Sequence, residues 1–117
     1  MGGAWRSVLS FAPPMTVSVS PSFASGVQTP SRPQNATITS NSVQATPTGG
    51  TPPYRYAWTV TEGDGYPTAP NNALTAFAAQ LSSEEEAQGG ATVTCTDAMG
   101  LTATGQCSYY LYNRSIK

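Results

Sequence analysis

Large apolar side chains recur at every second position through the middle of the chain. Tyr54, Tyr56, Trp58 and Val60 alternate with Arg55, Ala57, Thr59 and Thr61. An extended backbone puts the first set on one side and the second on the other. Gly49-Gly50-Thr51-Pro52-Pro53 stands immediately before this run and supplies turn chemistry that stops whatever precedes it. A period of two, rich in aromatic and β-branched residues, predicts a strand. Its aromatic side carries most of the bulk available to so small a domain, so Tyr56 and Trp58 are expected in the core.

The same period returns later. Ala91, Val93 and Cys95 alternate with Thr92, Thr94 and Thr96, which places Val93 and Cys95 on the core side of a second strand. Asp97-Ala98-Met99-Gly100 has Asp at the first and Gly at the last position of a turn. Leu101–Leu111 then reads as the closing strand of a hairpin. Ala36–Thr39 and Ser42–Thr46 are shorter strands, and Glu62–Asn72 is a long turn-rich connection. Ala73–Leu81 has the alanine content of a helix, but it is short for one and its neighbours are all β, so a strand is expected. Ser82-Ser83-Glu84-Glu85-Glu86 resembles a capping box. Gly89-Gly90 follows too soon for a helix, which leaves at most a single helical turn.

Residues 1–33 differ from the rest and read as an extended N-terminal arm, with the sandwich occupying 34–117. Trp5, Val8, Leu9 and Phe11 are large and apolar without a sustained period. Met15, Val17 and Val19 alternate with Thr16, Ser18 and Ser20 and predict one edge strand, ended by Pro21. The arm holds more apolar bulk than a solvated tail should carry. These seven apolar residues are therefore the candidate subunit-binding set, with Met1–Pro14 expected to be fixed by neighbouring subunits. Met15–Ser20 is expected to add as a strand to its own sandwich or a neighbour's; the rival is an arm folded back over one sheet.

Composition agrees with a small all-β domain. The chain has 117 residues with 11 Gly and 10 Pro, enough for one modest core joined by many turns. Only 9% of residues are charged and the net charge is −1, which argues against nucleic acid and membrane surfaces as partners. No apolar run is long enough for membrane insertion, and Ser7–Ala12 is too short and polar for a signal-peptide core. There is no histidine, so the commonest general base and metal ligand is missing.

Taken in order, several segments carry a resemblance. They are Val17–Ser22, Asn41–Thr46, Gly49–Trp58, Thr75–Ala78 and Thr92–Gly100. Over roughly residues 17–111 the chain resembles the small immunoglobulin-like domains of tailed-bacteriophage virion proteins, which also resemble polycystic-kidney-disease-type repeats. The resemblance implies an immunoglobulin-like β-sandwich of about seven strands, with Trp58 as its core tryptophan. It also implies a capsid-decorating or tail-associated role in a virion made in the host cytoplasm. Two features of the antibody type are missing: no Cys near Val43 and Ala45 partners Cys95, and Val93 stands where a tyrosine corner would place Tyr.

Other candidate chemistry is weak. On a regular hairpin Cys95 lies opposite about Thr102 and Cys107 near Gly90, too far apart to bridge. Two buried thiols are the favoured reading. Glu62, Asp64, Asp97, Asn71 and Asn72 match no calcium-loop spacing, and Glu84–Glu86 reads as a solvated charge run. Tyr54, Tyr66, Tyr109, Tyr110 and Tyr112 include candidates for a sugar-stacking face, but alternation sends Tyr109 and Leu111 to the opposite side from Tyr110 and Tyr112. Asn35-Ala36-Thr37 and Asn113-Arg114-Ser115 match a glycosylation pattern that is common by chance. The expectation is a non-enzyme without metal or cofactor. Its partners would be other virion proteins within an oligomeric particle, and weak glycan contact at a host surface is the alternative.

Overall fold

Wherever the sequence alternates, the backbone is extended. The computed structural model describes residues 14–29 and 35–115. The chain is all-β, and no helix occurs among the described residues. Ten strands follow one another: β1 (Thr16–Ser20), β2 (Phe23–Gln28), β3 (Ala36–Thr39), β4 (Val43–Thr48), β5 (Arg55–Glu62), β6 (Tyr66–Pro67), β7 (Leu74–Thr75), β8 (Phe77–Leu81), β9 (Glu86–Thr96) and β10 (Thr102–Asn113). About seven were expected; β6 and β7 are only two residues each.

The strands form three hydrogen-bonded sheets, ordered β1-β4-β7, β2-β10-β9-β5 and β3-β8-β6. The first and third run into one another. Between β3 and β4, Ser40 donates its N–H to the Phe77 carbonyl at 2.8 Å and accepts the Phe77 N–H on its hydroxyl at 2.9 Å. Together they face the four-stranded sheet in a sandwich-like arrangement. The core between them joins Ile38, Val43, Ala45, Phe77, Ala79 and Leu81 to Ala24, Trp58, Val93, Cys107, Tyr109 and Leu111.

Trp58 is 4% exposed, and Val93 and Cys95 are fully buried. Tyr56 is half-buried against the same cluster. The Trp58 ring meets Phe77 edge-on at 6.0 Å, and Phe77 stacks on Tyr109 at 5.3 Å. The one polar atom of the indole is satisfied, since Nε1 donates to the Asn72 carbonyl at 2.8 Å. Burying such a ring without a partner for its N–H would be costly.

Several elements depart from the sequence reading. β9 begins at Glu86 and runs through Gly89-Gly90, whereas the alternation predicted a strand only from Ala91. Glycine is needed there for contact: a Cβ on Gly89 would run into the Glu62 carbonyl and the backbone after it. β5 bulges at this point, between Val60 and Glu62, so the two strands crowd together. The Ala73–Leu81 strand is broken at Ala76 into β7 and β8. The acidic run forms a turn: Ser82 donates its N–H to Glu85 Oε1 at 2.7 Å, and Glu85 N–H returns to the Ser82 carbonyl at 3.0 Å.

The segment read as an arm contributes two strands where one was expected. β1 pairs antiparallel with β4, and β2 pairs parallel with β10. Met15 is buried, and Val17 and Val19 pack half-buried on the core. These three side chains therefore belong to the chain's own sandwich. Trp5, Val8, Leu9 and Phe11 lie outside the described residues.

Candidate functional site

Two turns meet at one end of the sandwich. The hairpin between β9 and β10 closes with Gly100 donating to the Asp97 carbonyl at 3.1 Å, and Asp97 donating to the Leu101 carbonyl at 2.9 Å. Asp at the first turn position does what the sequence suggested: its Oδ1 accepts the N–H groups of Leu101 at 2.7 Å and Met99 at 3.0 Å. Its Oδ2 reaches further, to the N–H of Thr51 at 2.8 Å. Thr51 in turn accepts the Ala98 N–H at 2.8 Å. The Gly49–Pro53 turn is braced on its other side by Tyr54, whose hydroxyl donates to the Gly49 carbonyl at 2.6 Å.

The Asp97 side chain is buried at 4% exposure. Burial alone would push its carboxyl up. The N–H groups of Thr51, Leu101, Met99 and Gly100 outweigh that and hold it below the ordinary value, because they bond the ionised form. A fixed carboxylate thus locks the two turns together.

What the locked turns display is apolar. Met99 is 80% exposed and Leu101 48%. A groove of about 580 Å³ runs between them and Gly50, Thr51 and Pro14. Pro14, the first described residue, lines this groove. An exposed methionine and leucine on a braced backbone, which has little main-chain freedom left to lose, favour contact with another protein.

The outer face of the four-stranded sheet is different. Thr59 and Thr61 of β5, Thr92, Thr94 and Thr96 of β9, and Thr102, Thr104, Gln106 and Ser108 of β10 cover it with hydroxyls and an amide. A polar cleft of about 430 Å³ lies here, with Glu62 and Ser22 at its edge. Among the described residues, no three Cys, Asp or Glu side chains gather as a metal site. Further along, Phe23 and Val27 of β2 stand exposed beside the half-exposed Tyr110 and Tyr112 of β10. Tyr110 donates its hydroxyl to Glu86 at 2.7 Å.

No family model matches the chain, and neither does any curated protein or solved structure.

The remaining candidates fall into place around this frame. The two thiols are free and buried. Cys95 lies opposite Ala103 and Cys107 opposite Ala91, each one residue from its expected neighbour. Burial pushes both thiols up, with the Asp97 charge adding to the effect at Cys95. Tyr109 and Leu111 point into the core, so only Tyr110 and Tyr112 of the last strand are available to a ligand. Tyr109 instead accepts the Gly65 N–H at 2.8 Å and donates to the Glu62 carbonyl at 3.1 Å, which pins the β5–β6 connection.

Sequence reasoning missed the opposite end. Asn113 is fully buried and donates Nδ2 to the Leu81 carbonyl at 3.0 Å, while its Oδ1 accepts the Ser115 N–H at 2.9 Å. The Asn-Arg-Ser pattern there is a structural bracket whose amide is already engaged. A buried asparagine two positions before a serine gives no periodic signal. Only the tertiary contact exposes it.

Proposed function

We propose that this chain is a non-catalytic structural subunit of a bacteriophage virion: an immunoglobulin-like sandwich that binds other subunits through the end that carries Met99, Leu101 and Pro14. The observation that carries the binding role is the exposed Met99–Leu101 pair, held rigid by Asp97 and set beside Pro14. The virion setting rests on the sequence resemblance over roughly residues 17–111.

Strand order supports the immunoglobulin-like reading. With β3 and β4 taken as one bent strand and β7 and β8 as another, one layer runs β1, β3/β4, β7/β8, β6. The facing layer runs β2-β10-β9-β5. That is the A-B-E-D and G-F-C arrangement of such sandwiches, with β2 carrying the first strand across to pair with the last.

The test is sedimentation with assembled particles. The wild-type chain is expected to travel with them through a density gradient, and a folded Met99→Asp, Leu101→Asp double variant to stay near the top. A wild-type chain that never leaves the top fractions contradicts the proposal.

A second reading is favoured by Phe23, Tyr110 and Tyr112 on one outer face: a glycan-contacting module, since aromatic rings lie well against sugar rings. Binding of soluble polysaccharide by the isolated chain, lost in Phe23→Ala, is its signature.

A further inference from the structure

The four-stranded sheet is incomplete along one side. β9 flanks β10 from Thr102 to Tyr112, but on the opposite side β2 pairs only with Ser108–Asn113. Beside Thr102–Cys107 no strand is hydrogen-bonded to β10 on that side among the described residues, although β1 packs against the inner side of this stretch at Gly105.

The main-chain groups facing that position can be named. Ser108 donates its N–H to the Ser22 carbonyl at 3.0 Å, away from β9, while the Leu101 carbonyl accepts from Asp97 on the β9 side. These directions alternate along a strand. The N–H and C=O groups of Thr102, Thr104 and Gln106 therefore point away from β9 toward this unpaired side, and their side chains are exposed.

Every other long edge is covered. On β2, Asn41 closes the middle: its Oδ1 accepts the Ser25 N–H at 2.8 Å and its N–H donates to the Ser25 carbonyl at 3.1 Å. On β5, Trp58 donates its N–H to the Pro70 carbonyl at 2.8 Å and Asn71 Nδ2 reaches the Tyr56 carbonyl at 3.3 Å. β6 is two residues long and ends in Pro67. β1 lies against β10 at Gly105, where a side chain would collide with Val17 and Val19. Sheets ordinarily guard their edges by such means. Thr102–Cys107 has no charge, no proline and no covering hydrogen bond from the described residues.

We propose that this edge takes an added strand from a second copy of the chain, its residues Trp5–Phe11. The inference rests on the assembly reading in taking the partner to be another subunit. Three features point to this occupant. The segment is about as long as the gap and carries one charge, Arg6, so an uncharged edge does not repel it. In extended form its alternate residues Trp5, Leu9 and Phe11 share a side, and Val17 and Val19, only half-buried beside Gly105, would receive apolar side chains. Finally, Pro14, the first described residue, lines the groove next to Leu101, at the same end of the sandwich as the open edge. Strand addition supplies main-chain hydrogen bonds, with side-chain fit adding specificity. A contact between different surfaces of two copies repeats from copy to copy and builds a ring or a filament.

Amide hydrogen exchange on the full-length chain tests this. As concentration rises, exchange at Thr104 and Gln106 is expected to slow by about tenfold or more, the sign of newly protected amides. Val93, already inside the sheet, should not change. A full-length Leu9→Asp, Phe11→Asp variant should lose the slowing. Fast exchange at every concentration overturns the inference, as does slowing that persists in the variant. Slow exchange independent of concentration also overturns it, placing the chain's own segment at the edge. If exchange stays fast in a chain that still enters particles, this inference fails and the assembly reading stands.

Discussion

Asp97 holds the main-chain N–H of Thr51, 46 positions earlier in the sequence, at 2.8 Å. One carboxylate thereby fixes the distance between a Gly-Gly-Thr-Pro-Pro turn and a hairpin tip. Because the ionised form makes these bonds, its protonation matters to the fold.

The first prediction is therefore an acid sensitivity. The Asp97 carboxyl is held below its ordinary value of 3.8 in the folded chain. A depressed folded-state pKa contributes stability that is present above the unfolded value and disappears as pH falls through the folded one. The melting temperature should be flat in this respect above about pH 5 and fall below about pH 4. Asp97→Asn should melt lower at pH 7 and show a shallower acid slope. Parallel melting curves against pH for the two proteins contradict the assignment.

Trp58→Ala should cost about 3–5 kcal/mol, the usual penalty for deleting a buried aromatic ring. That is a large share of the stability of so small a domain. Chemical denaturation measures it, and a variant with the wild-type midpoint would remove Trp58 from its place as core anchor.

Gly89→Ala places a methyl group against the Glu62 carbonyl at the β5 bulge. Backbone must move, at a cost of about 1–3 kcal/mol. Gly90→Ala is the control, because a Cβ there meets only ordinary contacts at 3.6 and 3.8 Å. Equal stabilities for the two variants would contradict the crowding at Gly89.

Cys95 and Cys107 should stay reduced and unreactive in the folded chain. Cys95 pairs with Ala103, four residues before Cys107 on β10, which separates the two by about 13 Å along the strand. A disulfide needs its Cα atoms within about 7 Å. Both thiols should react with a colorimetric thiol reagent only after denaturant is added. Loss of both thiols in the native chain without reductant would show that the register differs.

The fold was legible where side chains alternate. Trp58, Val93 and Cys95 face the core because a period of two leaves them no other side. The Asp97 turn was legible because Asp and Gly occupy the positions its geometry demands. What escaped the sequence depends on neighbours distant along the chain. Gly89 looks like a stop until Glu62 is seen pressing on it, and Ala76 interrupts a strand that its own residues would continue. The alternation of Met15, Val17 and Val19 announced an edge strand, but nothing local said that β4 of the same chain would receive it. At the candidate site the turn was visible but its grip on Thr51 was not, so Met99 and Leu101 gave no sign of sharing a groove with Pro14.

The central claim is that this Met99–Leu101 end meets another subunit. Site-specific photocrosslinking asks the question directly. On the proposed assembly reading, a photoreactive side chain at position 99 should give a discrete crosslinked product with another subunit or a second copy of the chain. The same group at Thr59, on the threonine-covered sheet face, should give none. Crosslinks from position 59 with none from position 99 would contradict the account.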